Sequence, residues 1–449
     1  MSGTGQQAGR IPESDVSHGV GLSGLAGLFV WLLICRNWGA ISLALGMEGP
    51  HEPLSGPLAA LMTMVFTGGP MIAWSVLVDK VHRRASTGLD WSRRRVAGET
   101  REISIAKLAG LWGTWAAIAF LYCVARWYWD GSYEFAMEVL ALAAIPLFVL
   151  SIPYVFWLDR YMVEPRDGAW HFGAMLIGRE AYDVEAVKAH FRSWAVKGFF
   201  TAFMLSILPG GFYYIVTLDL AQIPAAPVAV AMALIELLFL IDVQMAMVGY
   251  VLTVKPLDAQ IRSANPYLAG WVAALICYPP FILMGDGGPL NYHPSTEQWS
   301  YWMAELPDML LWLWGGLLVV LTAIYAWATV IFGLRFSNLT YRGVITNGPY
   351  RLTRHPAYLA KNLFWWCATL PFLATSGSMV DTVRNTTLLA LVSAVYYWRA
   401  KTEERHLLSE DPKYVAYHAW MAANAPITRG ISRLLGLLRP RGPQLHPAE

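Results

Sequence analysis

Long apolar runs alternate with short polar links along most of the chain. A helix that crosses a bilayer needs roughly 20 mostly apolar residues. By that standard about ten segments read as spans: 20–45, 55–78, 104–126, 136–158, 196–220, 225–253, 266–284, 309–333, 359–376 and 384–400. The last two are short, which fits tilted helices or helices that continue beyond the membrane. Leu208-Pro209-Gly210-Gly211 predicts a break or kink in the fifth span, and Pro279-Pro280 predicts one in the seventh. Breaks of this kind mark cavities as readily as they mark packing.

The links set an orientation, because cytoplasmic links are rich in Lys and Arg. Link 79–103 carries Lys80, Arg83, Arg84, Arg93, Arg94, Arg95 and Arg101. Links 159–195, 254–265 and 334–358 are also basic, whereas 285–308 holds Asp286, Glu297, Glu305 and Asp308 without Lys or Arg. The pattern predicts an all-α integral membrane protein with both termini cytoplasmic. It places link 334–358 and everything after residue 400 on the cytoplasmic side.

Composition agrees. Of 449 residues 56% are hydrophobic and 14% charged, against about a quarter charged in soluble domains. A net charge of +2 argues against a general nucleic-acid binder. Cys35, Cys123, Cys277 and Cys367 lie far apart in apolar segments. They read as packing residues, with no metal-ligand spacing and no disulfide framework. Residues 1–18 are polar, lack the basic-then-apolar pattern of a cleaved leader, and read as a disordered tail. The organisation is then a tail over 1–18, about eight spans over 19–333, a two-span module over 334–428, and a basic tail over 429–449. Within that last tail, Ile431–Leu438 flanked by arginines reads either as a segment lying on an anionic leaflet or as plain disorder.

The chemistry concentrates in 343–417. Gly348-Pro349-Tyr350-Arg351-Leu352-Thr353-Arg354-His355-Pro356-Ala357-Tyr358 forms a proline-punctuated turn ahead of an apolar hairpin. Arg399, Glu403 and Glu404 emerge at the other foot of that hairpin, followed by Tyr414 and Tyr417. A hairpin returns its ends to one side of a membrane, so the two clusters face each other. Fixed cations, an imidazole, a phenol and two carboxylates suit a small zwitterion, whose ammonium and carboxylate each find an opposite charge.

The pattern Gly-Pro-Tyr-Arg-x-x-Arg-His-Pro-x-Tyr, apolar hairpin, Glu-Glu-x-x-Leu and Tyr-x-x-Tyr resembles the isoprenylcysteine carboxyl methyltransferase and phospholipid methyltransferase superfamily over roughly 342–420. The resemblance implies that S-adenosylmethionine binds from the cytoplasmic side and that a lipophilic acceptor arrives laterally from the membrane lipids. Carried over residue by residue, it implies that His355, Tyr358 and Glu404 hold the cofactor with Arg354, Glu403 and Tyr350. It implies further that Arg399 orders the site or orients the acceptor, and that Glu403 or His355 takes a proton from an amine acceptor. A carboxylate acceptor needs no base. This chain departs from the family in having Ala360 where Gly is common.

Outside that region, Arg36, Glu138, Glu236, Asp242 and Gln244 lie at membrane depth. Such groups either line a cavity or pair with one another or with Arg126. Two other classes compete with the methyltransferase reading. A sterol reductase using NADPH shares the span count, but its usual Arg-His-x-Asn-Tyr is absent here. A transporter or lipid-binding protein would explain broken helices while leaving 343–417 without a role.

Overall fold

The computed structural model describes residues 9–430 apart from Trp127, Tyr128, Asp130, Arg179, Ala221, Gln222, Pro224 and Ala225. The Ile431–Leu438 stretch therefore lies outside the described residues. Among the described residues, seven helices are long and apolar enough to cross a membrane. They are α1 (His18–Arg36), α3 (Pro57–Ala73, running on to Val78), α4 (Ala97–Ala125), α5 (Glu134–Leu158), α7 (Val184–Thr217), α8 (Pro227–Val251) and α11 (Asp308–Phe332, running on to Arg335). Between them lie the short helices α2 (Trp38–Ala44), α6 (Gly168–Ile177), α9 (Leu268–Leu275) and α10 (Trp299–Trp302). The chain then forms the hairpin α12 (Pro356–Thr369) and α13 (Met379–Glu410), and α14 (Pro412–Asn424) follows. The described β structure includes one two-residue ladder, β1 (Ser263–Ala264) against β2 (Thr340–Tyr341), antiparallel.

Three expected spans differ from the reading above. Segment 266–284 is not a continuous helix, because α9 is only 8 residues long and the chain turns before Pro279-Pro280. α12 has 14 residues, about 21 Å of helix. α13 has 32 residues, about 48 Å, but carries Asp381 and Arg384 in its first turns. Pro209 does not break its helix, since α7 runs unbroken through it.

Polar contacts show which helix ends meet. At one end Ser17 donates to Asp79 at 2.7 Å, and Asp15 pairs with Lys413 at 2.6 Å and with Arg335 at 3.8 Å. Residues 12–16, read as part of the N-terminal tail, run along 344–347 through five hydrogen bonds. Arg36, at the far end, donates to the carbonyls of Ile215 and Leu218. α8 finishes at the first end and α11 starts at the far one, so residues 253–307 must traverse the molecule.

They do so with little helix. Asn265 reaches the carbonyl of Thr402, and the carbonyl of Pro294 accepts from Asn385 at 2.6 Å. At about 1.5 Å per residue, those two α13 positions lie about 25 Å apart along its axis. Irregular backbone at membrane depth is tolerated only where protein or an aqueous cavity satisfies it. Here turns such as Leu290 N–H to Leu283 O, at 2.8 Å, supply partners.

Where the helices touch most closely they use small residues. A Cβ on Gly110 would come 1.9 Å from the Ala169 carbonyl, and one on Gly173 would come 1.7 Å from that of Ala106. Glycine there lets α4 and α6 pack backbone to backbone.

The loop before the hairpin is tied down by Arg342, 3% exposed. Its guanidinium donates to the carbonyls of Gly249, Leu252, Ala259, Leu334 and Phe336, which close α8, α11 and the loop after α8 into one knot. Nearby Gly343 has φ +118°, and a Cβ there would meet Arg335 Nη1 at 2.3 Å. Arg342→Met strands several buried acceptors, each worth about 1–3 kcal/mol. It should destabilise the purified protein by more than about 3 kcal/mol, read as loss of monodisperse protein or a lowered unfolding midpoint in detergent. A midpoint equal to wild type contradicts this role.

Candidate functional site

Pro356 occupies the first turn of α12, where its fixed φ suits a helix start and its missing N–H costs nothing. That start fixes Arg354 and His355 at the helix mouth and Tyr358 in the first turn. α13 continues past its apolar part, so Arg399, Glu403 and Glu404 return to the same level.

Glu404, with a side chain 7% exposed, sits at the junction. One oxygen lies 3.0 Å from His355 Nε2 and 3.3 Å from Arg354 Nε. The other accepts from Lys401 Nζ at 2.7 Å and lies 3.8 Å from His418 Nε2. Burial raises its pKa, but the hydrogen bonds from His355 and Lys401 and the charges of His355 and Arg354 overcome that and hold it at about 2.

Glu403 turns toward the cavity. One of its oxygens accepts from Tyr358 Oη and lies 3.6 Å from Arg399 Nε, the i,i+4 pair expected on one helix face. Arg399 is 2% exposed. It donates to Asn338 Oδ1 at 2.6 Å and to Tyr278 Oη at 3.4 Å. Its guanidinium lies over the rings of Tyr278, Tyr358 and Tyr396, at 5.4, 5.0 and 5.9 Å. Tyr350 packs edge-on against Phe332 at 5.3 Å, and its carbonyl accepts from Tyr417 Oη at 2.7 Å.

These groups line one cavity of about 160 Å³ that continues to Tyr325, Thr329 and Lys361. Tyr350, Arg354, His355, Tyr358, Arg399 and Glu403 all face it, while Glu404 braces it from behind. A more open depression at His82–Trp91 shares none of these residues. Arg354 Nη1 and Arg399 Nε are buried without a hydrogen-bond acceptor among the described residues. These cationic donors and the Glu403 carboxylate, which faces the cavity, offer the opposite charges that fit a zwitterion. Ligand pockets commonly measure about 300–1,000 Å³, so a nucleoside-sized molecule requires side chains such as Tyr358 to move.

Sequence reasoning missed Asn338 and Tyr278, which hold Arg399. Tyr278 adjoins Pro279-Pro280, and that helix break next to an aromatic was its available signal. Asp242 does not pair with Arg36 or Arg126. Its carboxylate accepts from Tyr325 at 2.7 Å and from Thr329, immediately behind the cavity. Gln244 instead accepts from Thr63 at 2.6 Å.

Residues 307–409 match the model of the isoprenylcysteine carboxyl methyltransferase (ICMT) family, from the start of α11 through the site loop to the charged end of α13. No curated protein and no solved structure matches the chain. The match indicates a membrane methyltransferase, and it coincides with the cluster just described.

Glu404 is ionised in the fold well below its usual range, so its contribution is complete above about pH 4.5 and is lost as pH falls toward about 2. The shift corresponds to on the order of 3 kcal/mol. Unfolding midpoints of wild type and Glu404→Gln should differ most at pH 6–7 and converge near pH 2–3. A constant gap across that range excludes a charge effect.

Proposed function

We propose that the protein transfers a methyl group from S-adenosylmethionine to a lipophilic acceptor, at a site that opens to the cytoplasmic face. The supporting observation is the closure of the α12–α13 hairpin by Glu404, which brings cations, phenols and a second carboxylate around one cavity within the family-matched region.

The residues divide the work. Glu403 offers a negative charge to an ammonium, and Arg354, whose Nη1 lacks an acceptor, offers bidentate donors to a carboxylate. Tyr350, His355 and Tyr358 supply the remaining wall, with His355 and Tyr358 rings stacked at 5.7 Å and 6°. When bound, S-adenosylmethionine supplies a methyl group on a sulfonium, already activated for displacement. The chain's task is then chiefly positioning and exclusion of water. Arg399, fixed by Asn338 and Tyr278, is the group suited to orient the acceptor. Glu403 is placed to receive a proton where the acceptor carries one. The apolar hairpin and the exposed apolar helix surfaces, such as Leu142 and Ile145 on α5, suit an acceptor delivered from lipid.

A titration of purified protein should give saturable binding of S-adenosylmethionine and none of NADPH. His355→Ala, which removes a wall residue, and Glu404→Gln, which breaks one charged hydrogen bond holding that wall, should each weaken that binding at least about tenfold. Binding of NADPH instead would move the protein to the reductases.

A further inference from the structure

The loop between α3 and α4 lies outside the family-matched region and carries its own cluster of donors. Its residues 88–90 are pinned beside the end of α5. Asp90 N–H donates to the Tyr161 carbonyl at 2.8 Å, and Val163 N–H donates to that of Gly88 at 2.9 Å. His82, Arg83, Leu89 and Trp91 wall an open depression of about 560 Å³ on this loop. Trp91 donates its indole N–H to the His82 carbonyl at 2.6 Å. Its ring packs against Tyr161 and Trp157, at 4.9 and 5.7 Å.

Donors in this depression lack acceptors. His82 Nε2 accepts from Arg83 Nε at 3.3 Å, which puts a ring proton on Nδ1. That Nδ1 is buried with no hydrogen-bond partner among the described residues. Arg83, Arg93 and Arg94 are exposed, and among the described residues none of them has a carboxylate within 4 Å. The lining acid Asp90 is already engaged, accepting from the Ser92 N–H at 3.0 Å and its hydroxyl at 2.6 Å. An imidazole N–H beside a free guanidinium suits a phosphate. The apolar side of the depression points to the source. Trp157 is exposed on α5, as are Leu147 and Leu150 before it, on a helix apolar enough to cross a membrane. Trp and Tyr gather at the level of lipid head groups, and basic clusters beside a span attract anionic lipids.

We propose that this depression binds an anionic phospholipid, with His82 and Arg83 on its phosphate and its acyl chains along α5. The assignment is independent of the methyl-transfer reading, since it shares no residue with the hairpin cavity.

The full chain in detergent is titrated with dioleoyl phosphatidylglycerol and with dioleoyl phosphatidylcholine, and bound lipid is counted by native mass spectrometry. The two lipids match in chains and differ in net charge. The first phosphatidylglycerol should bind wild type at least about tenfold more tightly than phosphatidylcholine, the worth of one charged hydrogen bond. Arg83→Gln and His82→Phe should each lose most of that preference, and Arg83→Lys should keep it. Arg101→Gln, a change at an exposed cation of the same link, should also keep it. Unfolding midpoints without added lipid should match wild type in Arg83→Gln, which separates loss of the site from loss of the fold. Equal binding of the two lipids, or a preference that survives both Arg83→Gln and His82→Phe, overturns the assignment. A loss in Arg101→Gln as large as in Arg83→Gln also overturns it, because diffuse charge then explains the binding. Inorganic phosphate that displaces phosphatidylglycerol at equal concentration shows a free-anion site and contradicts the lipid.

Discussion

A buried carboxylate is costly unless it is paired and hydrogen-bonded, and Glu404 meets that condition only when the hairpin is closed. His355 and Arg354 arrive from one foot, while Lys401 comes from its own helix. The neighbouring Glu403 faces the cavity because Glu404 faces the turn, and Glu403 in turn fixes Tyr358 and meets Arg399. One ionised group therefore sets the registry of the two helices and, through it, the positions of the groups read here as binding the cofactor.

The same wall depends on the irregular crossing between α8 and α11. A regular helix there would bury one stripe against α13. The turn-rich segment instead presents Tyr278 to Arg399 and stacks Cys277, Met284 and Tyr292 against Leu389 and Val392. Turns such as Leu283 N–H to Ile276 O and the Asn385 side chain supply partners to its backbone groups, as a low-dielectric environment demands. Arg342 performs the equivalent service for the loop that carries Asn338 and enters the site.

The helices and the cluster were legible because both leave periodic or local signals. Seven long apolar runs announced themselves by length. His355 and Glu404, 49 positions apart, were joined by the topology of a hairpin, and Arg399–Glu403 by helical spacing. The non-helical crossing was not legible, because 266–284 has the composition of a span and only Pro279-Pro280 hinted otherwise. Asn338 and Arg342 carry no periodic signal, since Asn338 accepts from Arg399 on α13 and Arg342 donates to backbone carbonyls, both across tertiary contacts. The strap of residues 12–16 along 344–347 likewise arises from tertiary contact alone.

Membranes containing the protein, supplied with S-adenosylmethionine labelled in the methyl group and with a total lipid extract, test most directly whether the hairpin cavity carries methyl transfer into the lipid phase. The label should move to the organic phase at a rate above that of membranes lacking the protein, and the gain should vanish with Arg399→Ala and Glu403→Gln. Label that stays aqueous with wild type, or organic label that survives both substitutions, contradicts the account.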